Sequence, residues 1–117
     1  MRVRCDYVAA EQAITNLLEN AIAYGHPGGH LAVNLETRGN SSLLLEVLDD
    51  GPGVVPTELA RLGERAFRAD TARRRDPKGS GLGLAIVTEI CHRFEFRLAF
   101  QAVEPRGLRV RIEGKMT

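Results

Sequence analysis

Tryptophan is absent from the sequence, which holds only two tyrosines and four phenylalanines. So few flat side chains argue against a stacking platform for single-stranded nucleic acid. Cysteine is also scarce: Cys5 and Cys91 form neither a CxxC pair nor a disulfide framework, and they read as reduced thiols of a cytosolic domain. No apolar run approaches the roughly 18 residues that a bilayer crossing needs, and no signal peptide is visible. An excess of one charge is missing too. Sixteen basic residues face fifteen acidic ones, for a net charge of +1, which argues against a general nucleic-acid or membrane-surface role. There is no internal repeat. What is present is 117 residues with a hydrophobic fraction of 44%, the size and composition of one globular domain.

Periodicity divides the chain into elements. Val3–Cys5 has the look of a short strand. From Asp6 to Tyr24, the residues Ile14, Leu17, Leu18, Ala21 and Ile22 recur at helical spacing and predict one buried face. Asp6 is the expected N-cap and Gly25 the expected C-cap. "LAVNLETR" alternates as a half-buried strand, and "LLLEVLDD" follows the "NSS" turn as a more fully buried one. A short helix is expected from Thr57 to Ala66, a mobile charged loop over Arg68–Lys78, and a helix over Leu82–Phe94. "FEFRLAFQAV" and "GLRVRIEG" predict a closing hairpin around "EPRG". The order β-α-β-β-α-loop-α-β-β predicts an α+β two-layer sandwich with its helices on one face.

Three segments bear on chemistry. "KGSGLGLAIVTEI" sets Gly79, Gly81 and Gly83 on alternate positions just before a helix. Glycines there weaken a helix start, but they let backbone N–H groups approach an anion at the positive helix end. A flexible loop that merely ends at a helix explains the same residues. GxGxxG would need a glycine where Leu84 stands, and no Lys follows as in a P-loop. On the first helix, Asn16, Asn20 and Tyr24 lie four residues apart in a drifting stripe. Satisfied core amides or a solvated polar stripe would account for them. "DDGPG" delivers Asp49 into a tight turn at Gly51 and Gly53. An ionised carboxylate there can accept from an exocyclic amine such as adenine N6, although Asp-Gly turns are common.

Together and in this order, "NLLENAIAYG", "DDGPGV" and "GSGLGLAIV" resemble the N, G1 and G2 boxes of the ATP-binding domain of sensor histidine kinases. These kinases are part of the larger Bergerat-fold ATPase superfamily. The similarity runs from about Ala9 to Ile112. It implies a mixed sheet covered on one face by about three helices, with a mobile ATP lid over residues 70–78. It implies that Asn20 binds Mg²⁺, with Asn16 as its upstream companion. Tyr24 would lie along the adenine and Asp49 would read its N6, with Gly51 and Gly53 beneath the base. Gly79, Gly81 and Gly83, with Ser80 and Leu82 between them, would border the phosphates, and Arg68 of the F box would stabilise γ-phosphate charge.

Three positions depart from the family's pattern. Ala23 stands where Lys or Arg is usual, Ala66 where the F box has Phe (Phe67 is next to it), and "HRFEF" replaces the "HGG" that follows the last helix. They bear on ATP affinity, lid docking and a turn, respectively.

Hydrolytic relatives carry a Glu at the position of Asn16. An amide cannot take a proton from water, so the resemblance implies delivery of the γ-phosphate to a histidine on a separate dimerisation domain. His26, His30 and His92 lack the acidic neighbour of the acceptor motif and read as structural or surface residues. Residues 1–117 are therefore expected to form one catalytic domain of a longer kinase. Its cofactors would be ATP and Mg²⁺. Its partners would be its own dimerisation and histidine phosphotransfer domain and, indirectly, a response regulator, with no nucleic acid. The domain would be cytoplasmic, without membrane contact of its own, in a parent anchored in the bacterial inner membrane. An anti-sigma-type serine kinase of the same fold and a non-catalytic nucleotide-binding module stay open as alternatives.

Overall fold

A computed structural model describes residues 7–24, 28–39, 41–62 and 83–115. Helix α1 spans Tyr7–Tyr24, and strands β1 (Leu31–Arg38) and β2 (Ser42–Asp49) follow as a hairpin. A single-turn helix α2 covers Pro56–Leu59, and α3 runs over Gly83–Arg93. Strands β3 (Arg97–Ala102) and β4 (Leu108–Lys115) form the closing hairpin. The sheet order is β1-β2-β4-β3, and all three pairings are antiparallel. The expected α+β class holds; a parallel member of the expected mixed sheet is not among the described residues. The proposed first strand, both caps of α1 and the charged loop lie outside them.

Period-2 alternation sorts the two central strands. Leu45, Val47, Leu108, Val110 and Ile112 belong to the main core cluster, with Leu17 and Ala21 of α1 and Leu84, Val87 and Cys91 of α3. The alternate positions carry charge around Leu44, which is 2% exposed on that face. Glu46 Oε2 lies 3.4 Å from Arg109 Nε and 3.0 Å from Arg111 Nε, and Glu113 pairs with Arg97. A second cluster, Ala9, Ala13 and Ile90, joins α1 to α3.

Two expectations about burial need correction. Ile14 and Ile22 are 44% and 72% exposed, not part of the buried face of α1. That face is formed by Ala9, Ala13, Leu17 and Ala21. It turns toward α3, where small side chains suit the contact between two helices. Every residue of β1 is exposed, although its alternation predicted half-burial. The strand lies at the edge of the sheet, and its apolar residues have lost the cover that their pattern anticipates. The α2 region is also shorter than expected, with turn geometry from Ala60 to Leu62.

The corrected packing separates two apolar residues of α1. Leu17, 1% exposed, should cost about 2–5 kcal/mol on replacement by Ala. Ile22→Ala should change stability by less than about 0.5 kcal/mol. Urea unfolding of both variants checks this, and comparable losses would mean that Ile22 is buried in solution.

Candidate functional site

Asn16 and Asn20 lie one turn apart on α1, and both are half-buried. Their neighbours Leu17 and Ala21 belong to the core cluster, which places the amides at its border. Asn16 Nδ2 is shielded from solvent and has no hydrogen-bond partner among the described residues. Such a donor typically costs about 1–3 kcal/mol. Rotation of the amide by half a turn exchanges its donor for a carbonyl oxygen, so the same group can meet an anion or a hard cation. Gly83, the first residue of α3, sits beside it: a Cβ added there would lie 3.9 Å from Asn16 Cβ. The first N–H groups of a helix lack intrahelical partners, and its dipole is positive at that end. No acidic side chain occupies the first turn of α3. The unsatisfied amide and the helix start thus meet at one place.

Asp49 ends β2 and is 6% exposed. Its Oδ1 accepts a 2.9 Å hydrogen bond from the Gly51 N–H, the side chain-to-backbone turn that Asp favours. Gly51 and Gly53 are buried, and Gly53 has φ 78°, a conformation open to glycine. Next to Asp49, Asp50 accepts a 2.9 Å bond from the His30 N–H, while His30 Nδ1 lies 3.2 Å from Asp50 Oδ2. This contact ties the start of β1 to the end of β2. It fits the expectation that His30 is a surface residue, and His92 is exposed as well. Gly107, in the turn before β4, approaches the backbone of Asp49. It escaped the sequence reading because a glycine in a hairpin signals only a turn.

Of the residues expected at the site, the structure brings Asn16 and Gly83 together and places Asp49, Gly51 and Gly53 in one turn. Helix α1, which carries Asn16 and Asn20, packs on β2, which carries Asp49. Tyr24 is the last residue of α1. Arg68, Gly79, Ser80, Gly81, Leu82 and the expected lid lie outside the described residues, as do Ala66 and His26. Among the described residues, no group of three or more His, Cys, Asp or Glu side chains could hold a metal ion, and no helix is long and apolar enough to cross a membrane.

The profile of the histidine kinase-, DNA gyrase B- and HSP90-like ATPases matches residues 5–117. The chain belongs to this family. Among its relatives, the sensor-like histidine kinase SenX3 of Mycobacterium bovis is 41% identical over 90 residues, which is 77% of this chain and 22% of SenX3. The signal transduction histidine-protein kinase/phosphatase MprB of Mycolicibacterium paratuberculosis is 41% identical over 85 residues, 73% of this chain and 16% of MprB. The solved structure of a mycobacterial sensor histidine kinase MprB superposes with a TM-score of 0.88 at 33% identity, covering 97% of this chain and 76% of that one. The chain thus has the Bergerat fold of histidine-kinase catalytic domains, and it spans only about a fifth of the length of the two curated relatives.

In this ATPase-family domain, the unsatisfied amide predicts an opposition between stability and binding. Asn16→Leu removes a buried donor that lacks a partner, so the nucleotide-free variant should melt no lower than the parent. It should also lose most of the rise in Tm that saturating Mg-ADP produces in the parent. A fall of several degrees in the free protein would show that the amide is satisfied without ligand.

Proposed function

We propose that this chain is the ATP-binding catalytic domain of a longer sensor histidine kinase, and that it binds Mg-ATP and donates the γ-phosphate to a histidine on a separate dimerisation and phosphotransfer domain. The single observation that carries this reading is the meeting of the unsatisfied Asn16 amide with the start of α3. Both are suited to a charged group that none of the described residues supplies. The family match makes a nucleotide phosphate the natural candidate.

In this reading Asp49 accepts a hydrogen bond from the adenine amine while keeping its bond to Gly51, and Gly51 and Gly53 leave room beneath the base. Tyr24 lies along the adenine. Gly79, Ser80, Gly81, Leu82 and Gly83 border the phosphates, and Arg68 offsets charge on the γ-phosphate. Mg²⁺ suits the amides of α1. It is bound through a few hard oxygen ligands, with phosphate and water completing the shell. It therefore needs no cage of three acidic or imidazole side chains, and Asn20, with Asn16 one turn away, would hold it. When bound, the ion neutralises phosphate charge.

Asn16 cannot act as a general base, a role worth about 10²–10⁴-fold in rate. Slow hydrolysis and transfer to a docked acceptor follow. The response regulator would be an indirect partner, downstream of that acceptor. Sensing and membrane anchoring would belong to other parts of the parent protein, with this domain on the cytoplasmic side.

The test mixes the chain with the helical phosphotransfer domain of its parent and radiolabelled ATP. Acid-labile, alkali-stable label should appear on the helical domain and not on the chain alone. Label on the chain alone would place an acceptor histidine within these 117 residues. Proven ATP binding with no label on either protein would favour a non-catalytic module.

Site assignments are checked separately by calorimetry. Asp49→Asn should weaken ADP binding roughly tenfold or more, because a donor then faces the adenine amine. Asn20→Ala should weaken binding in the presence of Mg²⁺ much more than in its absence. Equal losses in the two conditions would remove Asn20 from the metal site.

A further inference from the structure

We propose that Gly107, in the turn between β3 and β4, is a positioning residue that sets the location of Asp49 for base selection. The proposal rests on the reading of Asp49 as the acceptor of the adenine amine. Gly107 is buried, has φ 125°, and accepts a 3.2 Å hydrogen bond from the Val103 N–H through its carbonyl. A Cβ at this position would lie 2.1 Å from the carbonyl oxygen of Asp49, 3.1 Å from its carbonyl carbon and 3.4 Å from Asp50 Cα. From the other side, a Cβ on Gly53 would lie 3.2 Å from the Gly107 oxygen and 3.3 Å from its nitrogen. The two turns are therefore stacked backbone on backbone, from Asp49 to Gly53 on one side and at Gly107 on the other.

The three atoms nearest to a Cβ at 107 all belong to the main chain, so no rotamer change relieves the contact. Real Cβ atoms essentially never come within 3.0 Å of a non-bonded heavy atom of this kind, so with a residue other than glycine the two turns must separate by about 1 Å, and the end of β2 is one of the two. The Asp49 carboxylate is tied to its own turn by the bond to Gly51 N–H, and it would move with that backbone. Hydrogen bonds work over a donor–acceptor window of only about 0.5 Å. A shift of this size takes the carboxylate out of reach of a base amine while leaving the hairpin intact.

A glycine that serves only the hairpin would change stability without changing base preference. The discriminating readout is the ratio of affinities for ADP and IDP, in which a carbonyl replaces the adenine amine. The folded fraction scales both affinities equally and drops out of the ratio. The wild-type chain should prefer ADP roughly tenfold or more, and Gly107→Ala should bring the ratio to within about threefold of unity. Gly39→Ala is the control. Gly39 has φ 61° but nothing within 4 Å of an added Cβ, so it introduces backbone strain without contact and should keep the wild-type ratio. If circular dichroism shows that Gly107→Ala is largely unfolded without ligand, the ratio is read from ADP and IDP titrations that drive folding, since the folded fraction drops out of it. In an Asp49→Ala background, where no polar side chain at this position faces the base, Gly107→Ala should change the ratio no further.

An unchanged ratio in the folded glycine variant, or a further change without Asp49, would overturn the positioning role and leave the nucleotide site standing. A wild-type chain that binds ADP and IDP equally would instead overturn the assignment of Asp49, and this proposal with it.

Discussion

Leu17 and Val87, at 1% and 0% exposure, sit in one apolar cluster with Val47 and Leu108, and this cluster ties α1 and α3 to the central strands. The candidate site follows from it by short covalent steps. Asn16 precedes Leu17, and Asn20 lies three residues beyond it on an adjacent position of the helix. Gly83 lies four residues, about one turn, before Val87. Asp49 lies two residues after Val47, on the same face of β2. Once these apolar side chains are packed, both amides, the start of α3 and the carboxylate have little freedom in where they stand.

The polar groups brought to this border are treated differently. Asp49 is buried, but its carboxylate receives the Gly51 N–H. The Asn16 amide nitrogen is buried with no partner among the described residues. Buried polar groups are ordinarily satisfied, and a protein keeps one unsatisfied when the surrounding structure stabilises it and a ligand completes it. The apolar contacts of α1 and α3 offset that cost. The turn at Asp49 depends instead on close backbone approach, with Gly53 and Gly107 each leaving room for the other's main chain.

Away from the site, the sheet shows how little charge pairing contributes to the architecture. Glu46 is approached by Arg109 and Arg111, and Glu113 by Arg97 and Arg38, on the strand positions that alternate with the core. The pairs of Glu113, with exposed Arg97 and Arg38, are worth about 0–1 kcal/mol each; Glu46 and Arg111 are more buried, and desolvation offsets much of their attraction. These side chains cover Leu44 on that face, while the main apolar cluster lies on the other side of the sheet. The exposed Leu31, Val33 and Leu35 of β1 lie at the sheet's edge, beyond the strands against which α1 packs.

Local chemistry was enough to read α1, the β1–β2 hairpin, α3 and the closing hairpin from the sequence, because periodicity and turn residues act over a few positions. Asn16, Asn20, Asp49, Gly51 and Gly53 could be singled out for a related reason, their spacing within short segments; the structure sets Asn16 beside Gly83, and Asp49 in one turn with Gly51 and Gly53. Only tertiary structure decided that the buried stripe of α1 runs through Ala9, Ala13, Leu17 and Ala21 and leaves Ile14 and Ile22 in solvent. Both sets of residues are compatible with helical spacing, and the position of α3 chooses between them. The same holds for β1, whose alternation promises a covered face that an edge strand does not receive. It holds most clearly for Gly107, separated from Asp49 by more than fifty residues of chain, because a main-chain contact across two turns depends on how the strands pair and leaves no periodic mark in the sequence.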